Sequence, residues 1–148
     1  MDKFHIKGST YIPNIDFDPE TRILEIAGES YHEYTTEFYQ PVFEWLENFL
    51  KETAKADSDV AEDQRKQVTM NFKMTYFNTS SSRRFIEILS MLEDFGRDNG
   101  GNVVVNWYFE ENDVDMEESG EEYAEDVDLP FNLIEMPMIN TSSDGSKS

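Results

Sequence analysis

Apolar positions along this chain switch between a two-residue and a three-to-four-residue period. Val68 to Phe77 alternates strictly, with Val68, Met70, Phe72, Met74 and Tyr76 on one face and Thr69, Asn71, Lys73, Thr75 and Phe77 on the other. That pattern predicts a half-buried strand. On either side the period lengthens. From Glu33 to Ala54, the residues Phe38, Val42, Trp45, Leu46, Phe49 and Leu50 form one stripe, which predicts a helix that Thr35 or Thr36 could cap. Pro41 fits such a helix only in its first turn, so a loose or bent entry is expected. From Ser80 to Arg97, Phe85, Ile88, Leu89, Leu92 and Phe95 predict a second helix, which Asn99-Gly100-Gly101-Asn102 ends in a turn.

The flanking segments read as short strands. Phe4 to Ile6 is one; Ile15 to Phe17 and Ile23 to Ile26 flank Asp18-Pro19-Glu20-Thr21 as a hairpin, closed by Gly28. Val103 to Phe109 is nearly all β-branched or aromatic, as expected for a strand covered on both faces. Lys55 to Gln67 reads as an exposed, partly helical connection, and Glu110 to Asp128 as an acidic, partly helical segment anchored by Met116, Tyr123 and Val127. Phe131, Leu133, Ile134 and Met136 add a last strand after Pro130. Strands alternating with helices favour parallel neighbours and right-handed crossovers, and the opening hairpin makes the sheet mixed. One domain over residues 1–138 is expected, with a disordered Ser/Gly-rich tail over 139–148.

Composition narrows the function classes. Thirty-two Asp and Glu against 12 Lys and Arg leave a net charge of −20. A phosphate backbone or an anionic membrane would repel such a chain, so neither nucleic acid nor a membrane is expected as partner. A protein with a basic surface suits it better. Cysteine is absent, which excludes disulfides, thiolate metal sites and cysteine nucleophiles. Met1-Asp2-Lys3-Phe4-His5 lacks the apolar core of a secretion signal, and a cytoplasmic location is expected.

Few motifs for catalysis are present. There is no glycine-rich phosphate loop and no Gly-x-Ser-x-Gly elbow. His5 and His32 stand far apart with nothing nearby to orient them, so both read as surface or structural histidines. Asp113-Val114-Asp115-Met116-Glu117 begins like a calcium loop but has Glu118 where the sharp turn needs glycine. A solvated acidic face is the plainer reading, with weak divalent-ion binding or an enzyme-like carboxylate site at 110–128 as the alternative. No cofactor is implied. Asn78-Thr79-Ser80 and Asn140-Thr141-Ser142 match the glycosylation sequon by chance.

The remaining cluster is Thr79, Ser80, Ser81 and Ser82, placed where the strand pattern gives way to the helix pattern and followed by Arg83 and Arg84. A helix start offers unpaired N–H donors and a positive dipole end, so a phosphate carried there is stabilised. Capping by Asn78 or Thr79 is the ordinary role of such a cluster, and Arg83 and Arg84 could be solvated or paired with Glu87.

The chain resembles the SiaC-type regulatory phosphoproteins, a bacterial family similar in fold to the anti-sigma-factor antagonists of the STAS-like group. The resemblance rests on Phe4-His5-Ile6-Lys7-Gly8-Ser9, on Ile15-Asp16-Phe17-Asp18 through Gly28-Glu29-Ser30-Tyr31, and on Phe38-Tyr39-Gln40-Pro41-Val42 with Trp45-Leu46. Tyr76-Phe77-Asn78-Thr79-Ser80-Ser81 is its most diagnostic element. It implies a single STAS-like α/β domain: a mixed β-sheet with an N-terminal hairpin and helices packed mainly on one face. It also implies a non-enzymatic partner-switching module of the kind used in biofilm regulation, phosphorylated on Thr79. Asn78, Ser80, Ser81, Ser82, Arg83 and Arg84 would flank the phosphosite on the partner surface. The implied partners are a Ser/Thr kinase of the anti-sigma-factor type, a PP2C-type phosphatase and an output protein, such as a diguanylate cyclase, bound and activated in the unphosphorylated state.

Overall fold

The computed structural model describes residues 1–31, 35–100 and 102–137. His32, Gly101, the second sequon and all of the expected tail lie outside them. Six strands form one sheet in sequence order: β1 (Phe4–Ile6), β2 (Asn14–Asp18), β3 (Ile23–Ser30), β4 (Val68–Phe77), β5 (Val103–Glu110) and β6 (Phe131–Met136). β1 to β3 are antiparallel, and β3 to β6 run parallel. Helices α1 (Thr35–Asp57), α2 (Thr79–Asn99) and α3 (Val114–Asp126) make the three parallel crossovers. Successive right-handed crossovers that always step the same way along a sheet place their helices on the same face. The mixed α/β architecture expected from the sequence is therefore observed.

Burial follows from that one-sidedness. Ile15, Phe17, Leu24, Ile26, Val68, Met70, Phe72, Val105 and Trp107 point under the helices and are fully buried. They meet Val42, Leu46 and Phe49 of α1 and Phe85, Ile88 and Leu92 of α2 in one core. α3 lies close on β5: the Trp107 indole N–H donates to the Met116 carbonyl at 3.0 Å. Gly120 permits the approach, since a Cβ there would stand 2.4 Å from Trp107 Cδ1. Among the described residues the opposite sheet face carries no helix. Asn71, Asn106 and Asn132 stand in register across β4, β5 and β6 and are linked amide to amide at 2.9 and 3.0 Å. β5 therefore alternates buried and half-buried positions, and is not covered on both faces as its composition suggested.

Three local expectations are corrected. Gly28 does not close the hairpin; β3 runs on to Ser30. At Gly28, with φ +101°, the pairing with β4 shifts, so that Met74 faces Gly28 but Tyr76 faces Glu29. The extra residue turns the end of β4 over. Tyr76 becomes 48% exposed, while Phe77 packs against Phe85, Trp107 and Tyr123. Pro41 is not in the first turn either: α1 runs through it. Its side is exposed, so the Glu37 carbonyl that loses its helical donor can reach water. Finally, Thr35 and Thr36 are first-turn residues of α1 instead of caps in front of it.

Candidate functional site

All three helix starts lie at one rim of the sheet, because each helix follows the carboxyl end of a parallel strand. In open α/β sheets that rim is where ligands and partners are met. The hydroxyl cluster occupies the start of α2. Asn78 is the N-cap, its side-chain oxygen accepting from Ser81 N–H at 2.9 Å. Its own N–H donates to Ser30 O at 3.1 Å, tying the turn to the end of β3. The cap therefore accounts for Asn78, and the four hydroxyls behind it divide sharply.

Ser81 is fully buried. Its hydroxyl donates to Ser30 O at 2.6 Å and contacts the Ser30 hydroxyl at 2.7 Å, which in turn contacts the Tyr39 hydroxyl at 2.7 Å. Ser81 therefore belongs to the interior, and not to the partner surface expected from the sequence. Burial pushes the Tyr39 phenol well above its usual range, only partly offset by the Ser30 hydrogen bond. Ser80 is half-buried and hydrogen-bonds the Thr35 hydroxyl, joining α2 to the start of α1. Ser82 reaches the Tyr123 hydroxyl of α3 at 2.5 Å. Burial raises the Tyr123 phenol, which the Ser82 bond opposes and the nearby Glu122 charge reinforces.

Thr79 differs from all three. It is the first residue of α2, it is exposed, and its side chain makes no hydrogen bond among the described residues. Arg83 follows one turn later on the same face, exposed and without an ion pair among the described residues. Arg84 is held: it pairs with Glu87 at 2.8 Å, and an Nη approaches the Thr36 hydroxyl at 3.5 Å. Its Nε is buried without a partner among the described residues.

The other sequence candidates lie elsewhere. Asp113 caps α3 by accepting from Met116 N–H at 3.1 Å. Among the described residues no three His, Asp or Glu side chains converge as metal ligands. His5 sits on an exposed edge strand opposite Asp16. A groove of about 460 Å³ lies at the far rim, between Gly96, Arg97, Val103 and Pro130, away from every hydroxyl of the cluster. Among the described residues no helix is long and apolar enough to cross a membrane.

Two participants escaped the sequence. Tyr39 falls in step with Thr35, Val42, Leu46 and Phe49, all buried. Drawing the stripe through Phe38 hid it. Ser30 carries no local signal, because its role depends on a residue 51 positions away.

The structure is thus an α/β sheet with helices on one face, with Thr79 exposed at the start of α2 and its side chain without a hydrogen bond among the described residues. The family model described as SiaC family regulatory phosphoprotein matches residues 6–136. The chain belongs to that family. Apo-SiaC from Pseudomonas aeruginosa is similar with a TM-score of 0.74 at 28% identity, over 90% of this chain and 99% of that one. SiaC in the crystal structure of the diguanylate cyclase SiaD with its activator SiaC, also from Pseudomonas aeruginosa, gives 0.76 at 27% identity, over 90% and 99%. An uncharacterized protein of Pseudomonas aeruginosa strain UCBPP-PA14 is 29% identical over 131 residues, 88% of this chain and 94% of the relative.

Proposed function

We propose that this protein is a non-enzymatic switch that binds and activates a diguanylate cyclase and is turned off by phosphorylation of Thr79. The observation that carries the site is the division of the hydroxyls: Ser80, Ser81 and Ser82 are engaged, and Thr79 is exposed with no side-chain hydrogen bond among the described residues. A kinase can reach Thr79 without unfolding the turn. The choice of output is supported by the relative crystallised with its cyclase. A phosphate adds a charge of about −1.5 to −2 at the rim, putting desolvation and repulsion into any contact made there. A loss of about 3 kcal/mol would weaken binding more than a hundredfold, which suffices for a switch. The writer is an ATP-using Ser/Thr kinase of the anti-sigma-factor type and the eraser a PP2C-type phosphatase, acting in the cytoplasm.

The test pairs labelling with binding. The kinase and the cyclase from the same genome are purified. Wild type takes one phosphate and Thr79→Ala takes none; Thr79→Ala still activates the cyclase and Thr79→Asp activates it less. Equal labelling of Thr79→Ala and wild type refutes the site, and a cyclase indifferent to the unphosphorylated protein refutes the output.

A further inference from the structure

The same rim carries an exposed aromatic cluster. Tyr31, at the end of β3, meets Tyr11 edge-on at 4.7 Å and Tyr76 edge-on at 5.0 Å. Tyr11 is 55% exposed and Tyr76 48%. Large rings half in water contribute little to a core, whereas tyrosines grouped at a surface are the residues that dominate protein contacts. Their surroundings are acidic. The Glu29 charge bears on Tyr31, and Glu29 makes no ion pair among the described residues. On its other side Tyr76 borders a groove of about 230 Å³ lined also by Thr75, Asp113, Asp115 and Ser119. Asp113 spends one oxygen on its cap, and Asp115 is exposed with no ion pair among the described residues. Ring faces flanked by carboxylates that make no ion pair among the described residues attract a cation that can also lie flat on a ring, which describes arginine better than lysine. The sheet already shows the affinity in miniature, with Lys73 Nζ 4.9 Å from the centre of the Tyr108 ring.

We propose that Tyr11, Tyr31 and Tyr76, with Glu29 and Asp115, form the docking surface for an arginine-bearing segment of the partner protein. The proposal deepens the switch reading above and rests on it for the partner's identity. Tyr76 stands three residues before Thr79, so a segment seated on the rings passes beside the phosphorylatable hydroxyl.

The direct test needs no partner. The protein is titrated at low salt with the peptide acetyl-Gly-Arg-Gly-Arg-Gly-amide, and with its citrulline counterpart, while tyrosine ring resonances are followed by NMR. Shifts at Tyr11, Tyr31 and Tyr76 are expected with arginine and not with citrulline. Tyr11→Ala or Tyr76→Ala should weaken binding about tenfold, and Tyr76→Phe should retain it, as loss of a desolvated cation–ring contact predicts. Both rings are half exposed, so the alanine variants should stay folded, which circular dichroism checks. Equal affinity in the alanine variants, unshifted resonances of Tyr11, Tyr31 and Tyr76 at saturating peptide, or equal binding of citrulline overturns the proposal. So does a dimer of the free protein that these variants abolish, because the rings would then hold a second copy. Cyclase binding separates the two ideas. If the Tyr11→Ala, Tyr76→Ala double variant binds the cyclase like wild type, the docking surface is wrong and the switch stands. If no cyclase responds to wild type, the assigned output is wrong, and the peptide titration still decides the docking surface.

Discussion

The two rims of the sheet treat polar groups in opposite ways. At the amino rim, where α1 and α2 end, the cations are tied down. Arg22 grips both oxygens of Asp57 at 2.9 and 3.0 Å and donates to Lys66 O at 2.9 Å. Arg65 gathers the carbonyls of Val60, Asn99 and Gly100, and Lys66 donates to Glu20 O. At the carboxyl rim, where the helices start, one layer of hydroxyls is locked inside and a second layer, Thr79, Tyr11 and Tyr76, is displayed beside the exposed Arg83. The same fold thus has an end whose polar groups hold the molecule together and an end that leaves some of them exposed, where the proposed phosphorylation and docking would act. Helix polarity accounts for part of the contrast. Orphan carbonyls at the end of α2 recruit Arg65, and orphan N–H groups at the starts of α2 and α3 recruit Asn78 and Asp113 as caps.

The sharpest way to break this comparison is at the amino rim. The side chains of Arg22 and Asp57 are only 13% and 11% exposed. Asp57→Ala would leave the Arg22 guanidinium largely buried with the Lys66 carbonyl as its remaining partner. A loss of about 3 kcal/mol is expected by urea unfolding, since removing one partner of a mostly buried ion pair strands the other. Cyclase binding at the far rim, as proposed, should be unchanged while the protein remains folded. A variant that lost binding without losing stability would mean that the rims do not divide as argued.

These two rims were not equally legible in the sequence. The long elements α1, α2 and β4 were readable because each has a strong period of its own, whereas the acidic segment that forms α3 has little apolar pattern and was read only as partly helical. The hydroxyl cluster and the Asn78 cap were legible too, since a cap is a local arrangement. Three features were not. The bulge at Gly28 depends on pairing between β3 and β4, and it inverted Tyr76 and Phe77 against a flawless alternation. The interior role of Ser81 depends on Ser30 and Tyr39, brought there by the fold. Arg22 gave no sign of its partner, 35 residues away. Most of what failed rests on contacts distant in sequence, although the places of Pro41 and of Thr35 and Thr36 in α1 were local misreadings, and the choice of Thr79 came from the family resemblance.

Smaller effects sharpen the locked layer of the carboxyl rim. Asn78→Ala removes the cap of α2 and should cost about 1 kcal/mol, again by urea unfolding. Tyr39→Phe acts on pH dependence. Burial raises the Tyr39 phenol in the folded state, so the folded protein keeps that proton at a pH where the unfolded chain has lost it. The contribution is intact below the unfolded value of about 10 and falls as pH rises above it. Wild type should therefore lose stability steeply above about pH 10, and Tyr39→Phe should flatten that slope. An unchanged slope would assign the alkaline loss to other tyrosines, with Tyr123 next in line because burial raises it as well.

The smallest expected change bears most on function. Thr79 and Ser81 are two residues apart on one helix start, yet only Ser81 is enclosed by partners. Ser81→Ala should cost about 1 kcal/mol, because the Ser30 and Tyr39 hydroxyls lose part of their network. Thr79→Ala should stay within about 0.5 kcal/mol, as for exposed positions with nothing to lose. A residue so cheap to alter can carry a phosphate without unfolding its surroundings, whereas phosphate on Ser81 would require the turn to open. Denaturation curves of the two variants, with and without treatment by the kinase, decide the point. Wild type should accept phosphate with the helix content of α2 retained in circular dichroism. If Thr79→Ala proves as destabilising as Ser81→Ala, Thr79 belongs to the locked layer and the division between holding and displaying hydroxyls fails at the residue where it matters most.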